Sequence, residues 1–494
     1  MRHLRSLSVL ALALAARSAQ AQGECPVDIY QPSALAQAGI RITGATQADA
    51  PAATQKALRD AMKILSDPRK YQSNLVGGGF LKAQIYVLWL HQEGAQDVMT
   101  NAQLNASGVP TGQVDILAAA DSLLKLVEAV SPSCSAETLP WRQSKPWSEK
   151  INKAYTFLGA EVLDSAMYYA DRAAILFPSS PFVHNAYAQI ANKRGDIPAM
   201  LGHLRAAIIA AGSDTSLTTT KKQMQFQLAA FAQRQSLTAA GPDRAALIKE
   251  ALDIYTNSIR ESPASDDAAY SFQQASELIG ATQDTAAAIA LLAPMVADAM
   301  PYSDLTLLLA ADVARFFGRT ADAMVMYEGA LKKNVNIRDA NYFLAYLYYE
   351  AKKGEPMLPL TEKLIELDPS NGDNLQMKAL AFQRMAELEK DTKKKAGLIK
   401  MMQDLSAQGE AMPMRLTITR FERRAEGAAL GGNVENRGKV AKAYTVAVEF
   451  LDLQGAVIES MTALVASVKP GEVGTFELTA TKAGVAAYRY AALK

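Results

Sequence analysis

The stretch LAADVARFFGRTADAMVMYEGAL, Leu309 to Leu331, decides the fold. Its alanines Ala311, Ala323 and Ala330 stand 12 and 7 residues apart, and Gly318 interrupts the run between the first two. Two apolar, helix-length segments around a glycine predict a helical hairpin, because residues seven apart lie two turns along one helix face. Alanine at such positions lets two helix axes approach where a bulky side chain would hold them apart. Upstream, Ala154, Ala166, Ala173 and Pro178 repeat the 12 and the 7 and add a 5. A shift of 34 residues carries this set onto Ala188, Met200, Ala207 and Gly212. The same shift carries Ala311, Ala323 and Ala330 onto Ala345, Met357 and Leu364, with Pro369 following by 5. Two independent pairs share one register, which marks a repeat built of one helical hairpin per unit.

This pattern resembles the tetratricopeptide repeat, with YAQIANKRGD (Tyr187 to Asp196) as a second good match and Gly195, Gly318 and Tyr327 in place. The resemblance implies an α-solenoid whose units each present their first helix to a concave groove. Breaks at Pro178, Gly195, Gly212, Pro263, Gly280, Pro301, Gly318, Gly354 and Pro369 space the helices, and the array is expected over 146–410. Met200 and Met357 depart from the small residue of the pattern, and SLTAAGPDRA (Ser236 to Ala245) is a longer turn. Thr54–Ser66, Gly79–Gln92 and Val114–Val130 also read as helices, so 22–145 is expected to hold one or two degenerate units. Between the last two, residues 94–112 are read as a surface loop, and GGGFLK (Gly77 to Lys82) as a turn preceding a helix.

After Pro413 the period changes. In AYTVAVEFLD the residues Tyr444, Val446, Val448 and Phe450 alternate with Thr445, Ala447 and Glu449, the period of a strand. Turn signals at DLQG and KPGE separate further strand-like runs, which predicts a small antiparallel β-sandwich over 413–494. The fold class is therefore mainly α, a tetratricopeptide-like α-solenoid followed by this sandwich. Gly432, Val434, Asn436, Phe450, Asp452, Gly455, Pro470, Gly471, Glu472 and Phe476 resemble the pattern of an FxLYD-type, immunoglobulin-like domain. The Phe-x-Leu-Tyr-Asp motif itself is not intact. That resemblance implies a module without chemistry of its own.

Residues 1–21 combine Arg2 and Arg5, an apolar run from Leu7 to Ala16, and Ala19-Gln20-Ala21, the three parts of a secretory signal peptide. The reading is of an exported protein, expected in the periplasm, with secreted or surface-associated alternatives. No later apolar run is long enough to cross a membrane, so any envelope association would be peripheral. Loss of Arg2, Arg5 and Arg17 with this segment takes the formal net charge from +1 to −2, which offers no bulk attraction to nucleic acid. Cys25 and Cys134 are the only cysteines, and in an oxidising compartment a bridge between them is expected over two buried thiols.

No nucleophile elbow, zinc-binding helix motif or Cys-x-x-Cys occurs, and no enzyme activity, metal or cofactor is expected. His184 and His203 fall on the two helices of one unit and supply too few ligands for a metal. EKDTKKKAGLIK with Arg415, Arg420, Arg423 and Arg424 is a basic stretch read as a solvated face. Counting groove positions within each unit selects Asn185, Gln189 and Asn192 beside Phe182, and Asp312 and Arg315 beside Leu305 and Leu308. In the next unit it selects Asp339, Tyr342, Tyr346 and Tyr349. Two readings of this tyrosine stripe stay open: a binding surface, or packing against the last repeat or the β domain. The expected role is an exported, non-catalytic scaffold that binds a protein or peptide through the groove, with the β domain as a second surface. The alternatives are an accessory factor of an outer-membrane or polysaccharide secretion machinery, and an enzyme with an unrecognised site.

Overall fold

The computed structural model describes residues 24–493, so the signal-peptide reading lies outside the described residues. The chain divides into two compact units between Gln235 and Ser236. The first holds helices α1 (Ser33–Thr46), α2 (Pro51–Leu65), α3 (Leu75–Leu90), α4 (Asn101–Leu104), α5 (Ile116–Glu128) and α6 (Cys134–Arg142). It continues with α7 (Lys145–Gly159), α8 (Leu163–Leu176), α9 (Pro181–Arg194), α10 (Ile197–Ala211) and α11 (Thr218–Ser236), and a ribbon of β1 (Val98–Thr100) with β2 (Gln113–Asp115). Helix pairs form from α1 with α2, α3 with α5, α7 with α8, and α9 with α10.

In the second unit, α12 (Gly241–Glu261) packs on α13 (Asp266–Thr282), and α14 (Thr285–Ala297) follows. Three further hairpins come next: α15 (Asp304–Phe316) with α16 (Thr320–Lys333), α17 (Arg338–Glu350) with α18 (Met357–Leu367), and α19 (Gly372–Leu388) with α20 (Thr392–Glu410). This is a helical-repeat solenoid, and the twelve helical positions of the 34-residue register explain it, while Pro178, Gly212 and Pro369 lie just beyond their helices. None is more than 2% exposed, from Ala154 through Ala188 and Ala311 to Leu364. Met200 and Met357 are as buried as the alanines, because an unbranched thioether side chain fills an irregular gap. Gly195 and Gly318 close their hairpins with φ of +76° and +71°, a backbone that a side chain rarely adopts.

Two expectations for the first unit need correction. Gly77, Gly78 and Gly79 lie inside α3, not before it. A Cβ on Gly77 would sit 2.3 Å from the Asp28 carbonyl oxygen, and one on Gly78 2.3 Å from the Tyr71 ring, so close packing is the reason for glycine there. The segment 94–112 is not a plain loop either. Its ribbon is pinned by Arg172, whose guanidinium reaches Asp97 at 2.8 Å and Asp115 at 2.7 Å, while Lys150 reaches Asp97 at 2.6 Å.

The C-terminal strands are β3 (Met414–Arg424), β4 (Gly427–Asn436), β5 (Lys442–Leu451), β6 (Val457–Val468), β7 (Val473–Ala480) and β8 (Ala487–Tyr490). They form two antiparallel three-stranded sheets, ordered β3-β4-β7 and β6-β5-β8, around one apolar core. Tyr444, Val446, Val448 and Phe450 all point into that core, as their alternation predicts. Asn436 ties three segments together: its amide donates to the carbonyls of Val440 and Val468 at 2.8 and 2.7 Å, and its oxygen accepts from Gly438. Asp452 similarly holds the β5–β6 turn by accepting from the Gln454 and Ala456 amides.

The Cys25–Cys134 bridge is present and spans 109 residues. It joins the start of the described chain to α6, whose buried Arg142 pairs with Glu128 at 2.6 Å and Asp121 at 2.9 Å. Closing so long a loop restricts the unfolded chain by roughly 3–5 kcal/mol. All three tryptophans, Trp89, Trp141 and Trp147, belong to the first unit, so their fluorescence reports its unfolding. Replacing both cysteines by serine should lower the unfolding free energy read by tryptophan fluorescence in urea by about that 3–5 kcal/mol.

Candidate functional site

Helix α17 concentrates five aromatic rings between Tyr342 and Tyr349. Asn341, Leu344 and Ala345 are buried on its packing side, and the Tyr348 hydroxyl donates to Glu328 of α16 at 2.7 Å. The other rings take a different set of partners. Guanidinium groups lie over three of them: Arg315 of α15 over Phe343 at 4.1 Å, Arg338 over Tyr342 at 5.3 Å, and Arg384 of α19 over Tyr349 at 4.0 Å. Such cation–π contacts hold both the ring and the charge in place. Tyr342 also meets Phe343 edge-on at 5.4 Å. Between these stacks Tyr346 stays 40% exposed. A hydrogen bond to Glu350 raises its phenol above the ordinary tyrosine range.

Asp312 and Arg315 sit together on α15, 3.5 Å apart. The Tyr327 hydroxyl of α16 donates to the Asp312 carboxylate. Burial raises the Asp312 pKa, against the pull of Tyr327 and Arg315 toward the charged form. Burial and the neighbouring Asp312 likewise push the Tyr327 phenol up. Asp312, Arg315, Tyr342, Tyr346 and Tyr349 therefore belong to one aromatic and ionic surface across α15, α17 and α19. Sequence reasoning missed its stacking partners Arg338, Phe343 and Arg384, because the guanidinium that covers a ring comes from a neighbouring repeat or from a position outside the counted set.

The β strands of this unit are fixed to the turns between its repeats. Arg423 of β3 reaches both oxygens of Asp304, at 3.1 and 2.7 Å, and Asn334 donates to Asp304 and to the Ala486 carbonyl. Asp368, with no exposed side-chain surface, accepts from the Tyr490 hydroxyl, from Asn371 at 3.0 Å and from Arg338 at 3.1 Å. Ser370 receives the Leu416 and Leu493 amides at 2.9 and 2.8 Å, on its carbonyl and hydroxyl. A cavity of about 90 Å³ lies at this joint, walled by Leu305, Leu308, Ile337, Phe421 and Tyr488. Of the basic stretch read as a solvated face, Arg423 is a half-buried partner of the buried Asp304, and Arg415, Arg420 and Arg424 pair with Asp373 and Glu422.

The other counted positions belong to the first unit. There Asn185 and Gln189 are half-buried and Asn192 is exposed on α9. His184 and His203 do come together, with ring centroids 6.1 Å apart, and Tyr187 lies 5.1 Å from His203. Burial lowers the pKa of both imidazoles. Among the described residues, no group of three or more His, Cys, Asp or Glu side chains is arranged to hold a metal ion. Nor is any described helix long and apolar enough to cross a membrane.

No protein-family model matches the chain, and no curated protein does. Solved structures with some likeness include the TPR domain of P58(IPK), 11% identical over 72% of this chain and 90% of that one, with a TM-score of 0.23. A tetratricopeptide repeat protein from Parabacteroides merdae is 15% identical over 52% of this chain and 98% of its own, with a TM-score of 0.23. YrrB, described as a TPR protein with an unusual peptide-binding site, is 15% identical over 51% and 96%, with a TM-score of 0.20. The assignment of the repeat rests on the helix pairs and their buried register.

Two measurements check the joint. Arg423→Ala leaves Asp304 buried without its cation and should cost about 3–5 kcal/mol. Amide hydrogen exchange at Leu416 and Leu493, whose N–H groups donate to Ser370, should rise accordingly. Alkaline pH should act on the same joint, since burial raises the Tyr488 and Tyr490 phenols well above the ordinary tyrosine range. Below the unfolded tyrosine pKa of about 10 both states hold the proton and nothing changes; above it the unfolded state ionises first, and stability falls as pH rises. Unfolding midpoints measured upward from about pH 10 should decline, and less so in Tyr490→Phe.

Proposed function

We propose that this chain is an exported, non-catalytic scaffold of the cell envelope that binds a protein or peptide segment on the α15–α17–α19 surface. The observation that carries the reading is the exposed Tyr346 held between three arginine–aromatic stacks. A phenol offers a large apolar face and a polar tip, and neighbours already locked by stacking lose little further freedom when a partner binds. Asp339 and Glu350 flank the stripe and are exposed, so polar groups of a partner have counterparts at its rim. The disulfide and the N-terminal segment support a compartment outside the cytoplasm, with the periplasm as our reading. We read the C-terminal sheets as an FxLYD-type module, supported by the structural use of Gly432, Asn436 and Asp452.

The test is a crosslinking pull-down from envelope extracts with the native protein and Tyr346→Ala. Because Tyr346 is exposed, the variant should keep its unfolding midpoint. Loss of an aromatic anchor of about 2 kcal/mol should cut partner affinity roughly 30-fold. Equal capture of the same partners by a folded Tyr346→Ala would remove this surface from consideration.

A further inference from the structure

The arginines that cover the rings of α17 all make the same two-part contact. Arg338 lies over Tyr342 and binds Asp339 at 3.0 Å, and Arg384 lies over Tyr349 and binds Glu387 at 2.8 Å. Arg315 lies over Phe343 and stands 3.5 Å from Asp312. A planar guanidinium serves both partners at once, because it stacks by its face and donates from its edge.

Tyr346 and Glu350 are a further ring and carboxylate on the same helix. Four residues apart, they share one helix face; the Tyr346 hydroxyl bonds to Glu350, and both side chains are exposed. Among the described residues no arginine or lysine lies over this ring or pairs with this carboxylate. Glu350 is also the last residue of α17, where the helix dipole disfavours a negative charge, so the acid does not serve the helix.

We infer that the partner segment bound on this surface carries an arginine, whose guanidinium stacks on the Tyr346 ring and pairs with Glu350. The inference rests on the binding surface proposed above and names the side chain that this surface selects. Lysine fits less well, since its ammonium is a compact point charge without a face to stack. An acidic side chain would meet Glu350 with like charge.

The experiment selects dodecapeptides from a random display library on the full chain. The selected peptides are then measured by calorimetry against the native chain, Tyr346→Ala and Glu350→Gln. Peptides that Tyr346→Ala releases should contain arginine. Replacing that arginine by citrulline, a neutral group of nearly the same shape, should weaken binding about 3- to 30-fold, the combined reach of a cation–π contact and an exposed ion pair. Glu350→Gln should keep the unfolding midpoint or raise it slightly, and weaken the arginine peptide about 1.5- to 5-fold. It should leave the citrulline peptide unchanged, because the pair it would remove is already gone. Peptides that depend on Tyr346 without an arginine, or arginine peptides that either citrulline or Glu350→Gln leaves unchanged, would overturn the inference while the binding surface stands. A selection with no peptide sensitive to Tyr346→Ala would remove the surface and the inference together.

Discussion

Where α15 crosses α16, Ala311, Ala323 and Ala330 have no accessible surface left. Close approach of helix axes at small side chains is the constraint on which the repeats depend. A longer side chain at such a crossing would force the axes apart or push its neighbours off rotamer. The α19–α20 pair carries the same logic further: Gly372 and Gly409 approach so closely that a Cβ on Gly372 would lie 2.7 Å from the Gly409 carbonyl oxygen. The β strands attach at the turns where one such pair ends and the next begins.

The attachment uses buried charge. Asp304 and Asp368 lie at helix ends, and each is met by an arginine and by neutral donors. A buried ion pair is weak as a source of stability, because desolvation offsets most of its attraction, but removing one partner is costly. Such a joint therefore specifies one docking of the strands more than it strengthens the unit. The apolar walls of the adjacent cavity, Leu308, Phe421 and Tyr488 among them, supply the non-directional part.

Much of this was legible before the structure. The register alanines are a local pattern, repeated at a fixed interval, and the alternation of β5 is equally local. Strands β3 and β4 were harder: β4, GAALGGNVEN, is built largely of small residues, and β3 carries a register shift near Arg420, so neither shows clean alternation. The joint was not legible at all. Asp304 and Arg423 stand 119 residues apart, and Asp368 and Tyr490 122, and nothing in the neighbourhood of either member marks its partner. The glycines of α3 misled for a related reason, since their purpose lies in Asp28 and Tyr71, outside the helix.

The tyrosine stripe joins these threads, because only part of it is packed. Tyr342 and Tyr349 pack beneath arginines, while Tyr346 between them faces solvent. Arg338 is the residue that couples the stripe to the joint. Its guanidinium lies over the Tyr342 ring and also donates to Asp368, which in turn holds the Tyr490 hydroxyl. One side chain with one orientation serves both contacts, so the position of Tyr342 and the docking of β8 fix each other. Lysine could keep the charge there, but it lacks the planar fork that stacks on a ring while its edge binds a carboxylate. The aromatic surface is thus held from two directions, by the neighbouring repeats and by the β strands, and the exposed phenol at its centre inherits that rigidity.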